Sequence, residues 1–171
     1  MRIEQSFSVN RSPEVVFDYL TNPENLTAWQ TSKTSVEQLT AGPPQQGTRV
    51  REHTKGPRGK VFEQIVEFTE FERPTRVHAH IVEGPYPIDG TWSFAVEGSG
   101  TRVDFAAEGE LLGVPRLLQP LAKRLIARQM AGYHQKLRYS NNVKLEGAFH
   151  KIAICRNGWK SNSTFATASW D

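Results

Sequence analysis

The chain has 171 residues, 37% of them hydrophobic, with 21 Lys/Arg against 18 Asp/Glu. That suffices to bury the core of one domain and is too little for two; no stretch approaches the run of about eighteen apolar residues that a membrane helix needs. The polar opening MRIEQSFSVNRS lacks the apolar segment of a secretory signal, and the single cysteine, Cys155, excludes an intramolecular disulfide and a thiolate zinc cluster, so the expected location is the cytoplasm, without membrane insertion.

Alternation of Ile3, Phe7 and Val9 marks a first strand. Ser12 followed by Pro13 signals a helix start, with Ser12 as cap and Val15, Val16, Tyr19 and Leu20 as the apolar stripe. Asn22-Pro23 repeats the signal, and Leu26 and Trp29 form the inner side of a second helix of one to two turns. From residue 33 to residue 111 the apolar period is two. Six strands are expected there, at about 34–40, 47–54, 60–70, 75–82, 90–97 and 101–110. The breaks between them, AGPPQQG, KGPRG, the Glu72-Arg73-Pro74 bend, EGPYPIDG and EGSG, are turn signals of hairpin length, which makes the sheet antiparallel.

After Pro115 the period becomes helical for about thirty residues. Leu118, Leu121, Ala122, Leu125, Ile126, Gln129 and Tyr133 share one broad face, while Arg116, Lys123, Arg124, Arg128 and Arg138 fall outside it. The surface open to that face is the inner side of the sheet. Charge is unevenly spread along the chain. Residues 1–114 hold 11 Lys/Arg against 16 Asp/Glu, residues 115–146 hold 7 against 1, and residues 147–171 hold 3 against 1. The basic charge is thus concentrated on the long helix, either as a solvated face or as a surface for an acidic partner.

Strand, two short helices, six strands and one long helix is an α+β, helix-grip order: a seven-stranded antiparallel curved sheet with the long C-terminal helix across it. In the segments SPEVVFDYLTNPENLTAW (12–29), GTRV (47–50), IVEFTEFERPTRV (65–77), GTWSF (90–94) and GTRVDFAAEGEL (100–111), the sequence resembles the START-like (SRPBCC, Bet v 1-like) superfamily, in particular its polyketide cyclase/dehydrase branch. The resemblance spans residues 1–146, leaving 147–171 as an extension of unassigned structure. It implies a hydrophobic cavity between helix and sheet.

Alternation then nominates Val50, Glu52, Phe62, Gln64, Trp92, Phe94 and Phe105 for the wall of that cavity, with Leu125, Gln129 and Tyr133 from the long helix, His134 at the edge of its apolar arc, Trp29 from the end of the second short helix and Tyr86 from the loop 83–89. Loops 55–59, 83–89 and 111–115 should share one end of the meander, which would put Lys55, Arg58, Lys60 and Arg116 on a rim around Tyr86, suited to an amphiphile with an acidic head. Glu52 is the candidate catalytic group, because a carboxylate removed from water favours its protonated form and can act as general acid or base. His78 and His80, with His53 two strands away, have metal-compatible spacing but lie on the outer face without an evident third ligand, so neither metal nor cofactor is expected. No nucleophile elbow, phosphate loop or nucleic-acid motif is present. Three readings remain open: a binding protein, monomeric or homodimeric, for a hydrophobic or amphiphilic small molecule; a cyclase- or dehydratase-type enzyme; and a regulatory module using the basic helix.

Overall fold

The computed structural model describes residues 1–56, 59–110 and 115–157, the last nineteen of these as helical backbone only. Strand β1 (Arg2–Val9) leads into α1 (Pro13–Thr21), a 3₁₀ turn (Pro23–Asn25) and α2 (Leu26–Trp29). Strands β2 (Lys33–Gln38), β3 (Arg49–Lys55), β4 (Val61–Glu72), β5 (Arg76–Glu83), β6 (Ile88–Glu97) and β7 (Gly100–Gly109) follow, then a 3₁₀ turn (Arg116–Leu118) and α3 (Gln119–Asn157). The strands form one antiparallel sheet in the order β1-β7-β6-β5-β4-β3-β2, so the first strand closes the meander against the last. This is the helix-grip architecture that the pattern of elements predicts.

Local chemistry explains the two short helices. Pro13 occupies the first turn of α1, where its missing N–H costs nothing. Ser12 has the extended backbone of a cap but its side chain does not cap the helix; it bonds Glu14 instead, whose carboxyl is held below the usual range first by its own backbone N–H and then by this Ser12 contact. Asn22 does cap, its Oδ1 accepting from the N–H of Glu24 at 3.0 Å. The buried stripe of α1 is rotated by one position from the sequence reading: Phe17 is fully buried and Val15 only half-buried. Phe17 meets Phe71 and Phe94 edge-on, with centroids 5.0 and 5.3 Å apart. Around it Val9, Val16, Leu20, Val50, Val77 and Val103 belong to one buried cluster, which plugs one end of the sheet.

Two bulges reset which residues face inward. On β2 the pairing passes from Lys33↔Thr54 to Ser35↔His53, so Lys33 and Val36 both turn to the concave face and Thr34 is the extra residue. On β4 a similar shift between Phe68 and Glu70 turns Phe71 inward.

Helix α3 continues past residue 146 to Asn157, so part of the segment assigned to the extension is helical; residues 158–171 lie outside the described residues. The helix packs on β1, α1 and α2 through its middle, where Tyr133, His134 and Leu137 are buried. Its beginning does not follow the expected face, since Leu118, Leu121 and Leu125 are more than half exposed. There the helix stands off the sheet.

Candidate functional site

The gap beneath the first half of α3 is a cavity of about 490 Å³, bounded by the inner faces of β1 and β3–β7, by Lys33 at the start of β2, by α2 and by α3. Its floor is apolar. Val66, Ile81, Ile88 and Ala107 alternate along their strands with residues that face out. Trp92 and Phe105 lie 4.8 Å apart between centroids, and the Trp92 ring lies over Gly90, where a Cβ would stand 3.1 Å from the indole. At the opening, Phe62 and Tyr86 meet edge-on at 5.6 Å, joining the β3–β4 and β5–β6 connections.

Of the residues nominated from sequence, Trp29, Glu52, Phe62, Gln64, Tyr86, Trp92, Phe105, Leu125, Gln129 and Tyr133 line the cavity, as does Lys55 of the nominated rim. Val50 and Phe94 do not. Both are buried in the core cluster around α1, because the curved sheet closes onto α1 and α2 at that end before the cavity begins. Lys60 and Arg116 are exposed and off the wall, while Arg58 and the loop 111–114 lie outside the described residues.

Glu52 faces inward beside Gln64, as alternation predicts, and has a cationic partner that alternation does not reveal. Its Oε2 is ion-paired with Lys33, also buried, and accepts a second bond from Gln64 Nε2 at 2.7 Å. Alternation through Val36 would send Lys33 outward, and the bulge is what brings it in. Nearby, Gln129 donates to the Tyr133 hydroxyl, which donates to Ser32. One side of the cavity therefore carries a charged and hydrogen-bonded strip from β2, β3, β4 and α3.

The opposite side is organised by His134, which is 3% exposed rather than at the edge of the apolar arc. Its imidazole stacks on Phe7 (4.7 Å), meets Phe105 edge-on (4.8 Å) and faces Trp29 (6.4 Å). Burial lowers its pKa to about 4, so at neutral pH the ring is uncharged. Gln5 Nε2 donates to the carbonyl of Ala127 at 2.8 Å, which orients its amide so that Oε1 accepts from His134 Nδ1 at 2.7 Å. Nδ1 thus carries the proton and Nε2 a free lone pair. Among the described residues, His134 Nε2, Trp29 Nε1, Trp92 Nε1 and Thr54 Oγ1 are buried without a hydrogen-bond partner, and all four residues line the cavity.

On the outer face, His78 and His80 both reach Asp89 Oδ1, at 3.6 and 2.7 Å, while His53 pairs with Glu63. No group of three or more His, Cys, Asp or Glu side chains among the described residues is arranged to hold a metal. A second depression of about 610 Å³ runs between α1 and the β2–β3 connection, but it is a surface groove that Arg73 and Asp18 border with a bidentate pair at 2.7 and 2.8 Å. No described helix is long and apolar enough to cross a membrane.

Residues 1–138 match the model of the family described as polyketide cyclase/dehydrase and lipid transport. Among solved structures, the protein TTHA0849 from Thermus thermophilus is 23% identical with a TM-score of 0.72, covering 84% of this chain and 99% of its own. A START superfamily protein from Mycobacterium smegmatis has 15% identity and a TM-score of 0.70, covering 82% and 97%. The Aha1 dimer from Colwellia psychrerythraea has 13% identity and a TM-score of 0.60, covering 84% and 97%. Comparison with curated proteins gives no match.

Proposed function

The chain belongs to the polyketide cyclase/dehydrase and lipid transport family, within the START-like superfamily, and from that premise we propose that it binds one hydrophobic or amphiphilic small molecule between the sheet and α3. The observation that carries this reading is the cavity wall: an apolar and aromatic surface around about 490 Å³, broken by a few convergent polar groups. The unpartnered buried atoms support a ligand with oxygen functions rather than a plain hydrocarbon, since each costs about 1–3 kcal/mol when left unpaired. Location in the cytoplasm, operation without a cofactor as monomer or homodimer, and a functional unit of residues 1–146 belong to the same proposal. Native mass spectrometry of the protein purified from its own host, followed by denaturing extraction, tests it. A stoichiometric apolar or amphiphilic molecule is expected; a clean apo mass unchanged by fatty acids, sterols and aromatic polyketides refutes it.

The Lys33–Glu52 pair favours one further reading, an enzyme of the cyclase or dehydratase type in which the two groups polarise a substrate carbonyl and move a proton. Turnover of the extracted ligand that survives in Glu52→Gln would dispose of that assignment.

A further inference from the structure

We propose that the beginning of α3, with the turn before it, is a docking ridge for an anionic lipid surface. Leu117 is 93% exposed, and Leu118, Leu121 and Leu125 are between 53% and 58% exposed. Four large apolar side chains within nine residues are thus left in water, in a stretch that also carries Arg116, Lys123, Arg124 and Arg128. On the helix, Leu121, Arg124, Leu125 and Arg128 fall within about 100° of one another, so leucine and arginine alternate on one stripe instead of dividing into opposite faces. No Asp or Glu occurs between Glu110 and Glu146 to neutralise the cations locally.

This combination selects the partner. Leucines beside arginines match a bilayer interface, where the apolar groups enter the acyl boundary while the guanidinium groups remain with the phosphates. A nucleic acid would use the cations and leave the leucines in water. A second copy of the ridge would set cation against cation with no acid between them. The stripe also adjoins the cavity: Ala122, Leu125 and Ile126 of the same turns line it, so a docked ridge holds the cavity against the membrane. This surface goes beyond the ligand-binding reading and does not depend on it.

Flotation of the full chain with phosphatidylcholine vesicles, with and without phosphatidylglycerol, is the test. Binding is expected only with phosphatidylglycerol, weakened by salt, falling about fivefold for each of Arg124→Gln and Arg128→Gln and at least about tenfold in Leu117→Asp/Leu121→Asp. None of these four residues lines the cavity, so the affinity for a neutral cavity probe such as N-phenyl-1-naphthylamine should be unchanged, which separates failure of docking from failure of ligand binding. Equal binding to both vesicle types, no binding to either, or binding untouched in the leucine variant overturns the proposal. So does a concentration-dependent dimer that Leu117→Asp abolishes, or salt-sensitive retention on nucleic acid without retention on anionic vesicles.

Discussion

Burial of His134 makes a quantitative prediction about acid stability. Its pKa is about 4 in the folded chain against an ordinary 6.5, and the ring has three aromatic neighbours, a neutral amide on Nδ1 and no carboxylate partner among the described residues. Between those two values the unfolded chain binds a proton on this ring that the folded chain does not, so unfolding takes up a proton and stability rises with pH. The full contribution is present above pH 6.5 and is lost as the pH falls. At 1.36 kcal/mol per unit, the loss is about 0.4 kcal/mol at pH 6.5, about 2 kcal/mol at pH 5 and about 3 kcal/mol at pH 4. Carboxylates titrate in the same range, so the informative quantity is the difference between the wild type and His134→Gln, which keeps a donor for Gln5 but cannot titrate. Urea unfolding followed by tryptophan fluorescence from pH 7.5 to pH 4 should show the wild type losing about 3 kcal/mol relative to the variant. A difference flat across this range, or an imidazole resonance titrating near 6.5, would refute the reasoning.

The Lys33–Glu52 pair should behave as a unit: Lys33→Met or Glu52→Gln alone should cost about 3–5 kcal/mol by stranding its partner, and the double variant should recover much of that in a denaturation cycle. Gly100→Ala would place a Cβ 2.4 Å from the Val9 carbonyl oxygen, against backbone that cannot yield, and should cost more than about 2 kcal/mol, read as a lowered Tm. Along α3, Leu137→Ala should cost about 2–5 kcal/mol, whereas Leu117→Ala should stay within about 0.5 kcal/mol, because the first is fully buried and the second is 93% exposed.

The order of elements was legible because each is written in local chemistry: Pro13 and Asn22 start the helices, the Gly/Pro breaks separate the strands, and the apolar period changes at Pro115. Alternation also turned Trp92 and Phe105 toward the cavity. It failed where periodicity fails physically. The bulge on β2 reverses the side of Lys33 and hides the partner of Glu52, and nothing in KTSVEQ announces it. Val50 and Phe94 obey the alternation but lie where curvature has already closed the sheet, a three-dimensional property with no sequence period. His134 was displaced by the leucines themselves. Leu118, Leu121 and Leu125 dominate any average of the helix face, yet they belong to the half that stands clear, while the buried half is read at Met130, Tyr133, His134 and Leu137.

The two sides of the cavity together narrow what can fill it. An acidic head group, which a basic rim would suit, finds among the described residues only Lys55 of that rim on the wall, and deeper inside it meets Lys33 already neutralised by Glu52. A carboxylate entering there would place two like charges at one buried ammonium, with the cost that such pairs carry away from water. A neutral carbonyl accepts from the indole and hydroxyl donors, and a hydroxyl can in addition donate to His134 Nε2; neither asks for such an exchange. A long-chain methyl ester should therefore displace N-phenyl-1-naphthylamine at pH 7 at least as well as its free acid. If the acid displaces the probe tenfold better, the head group is held at the opening by Lys55, and the polar strip of Lys33, Glu52 and Gln64 plays no part in recognising it.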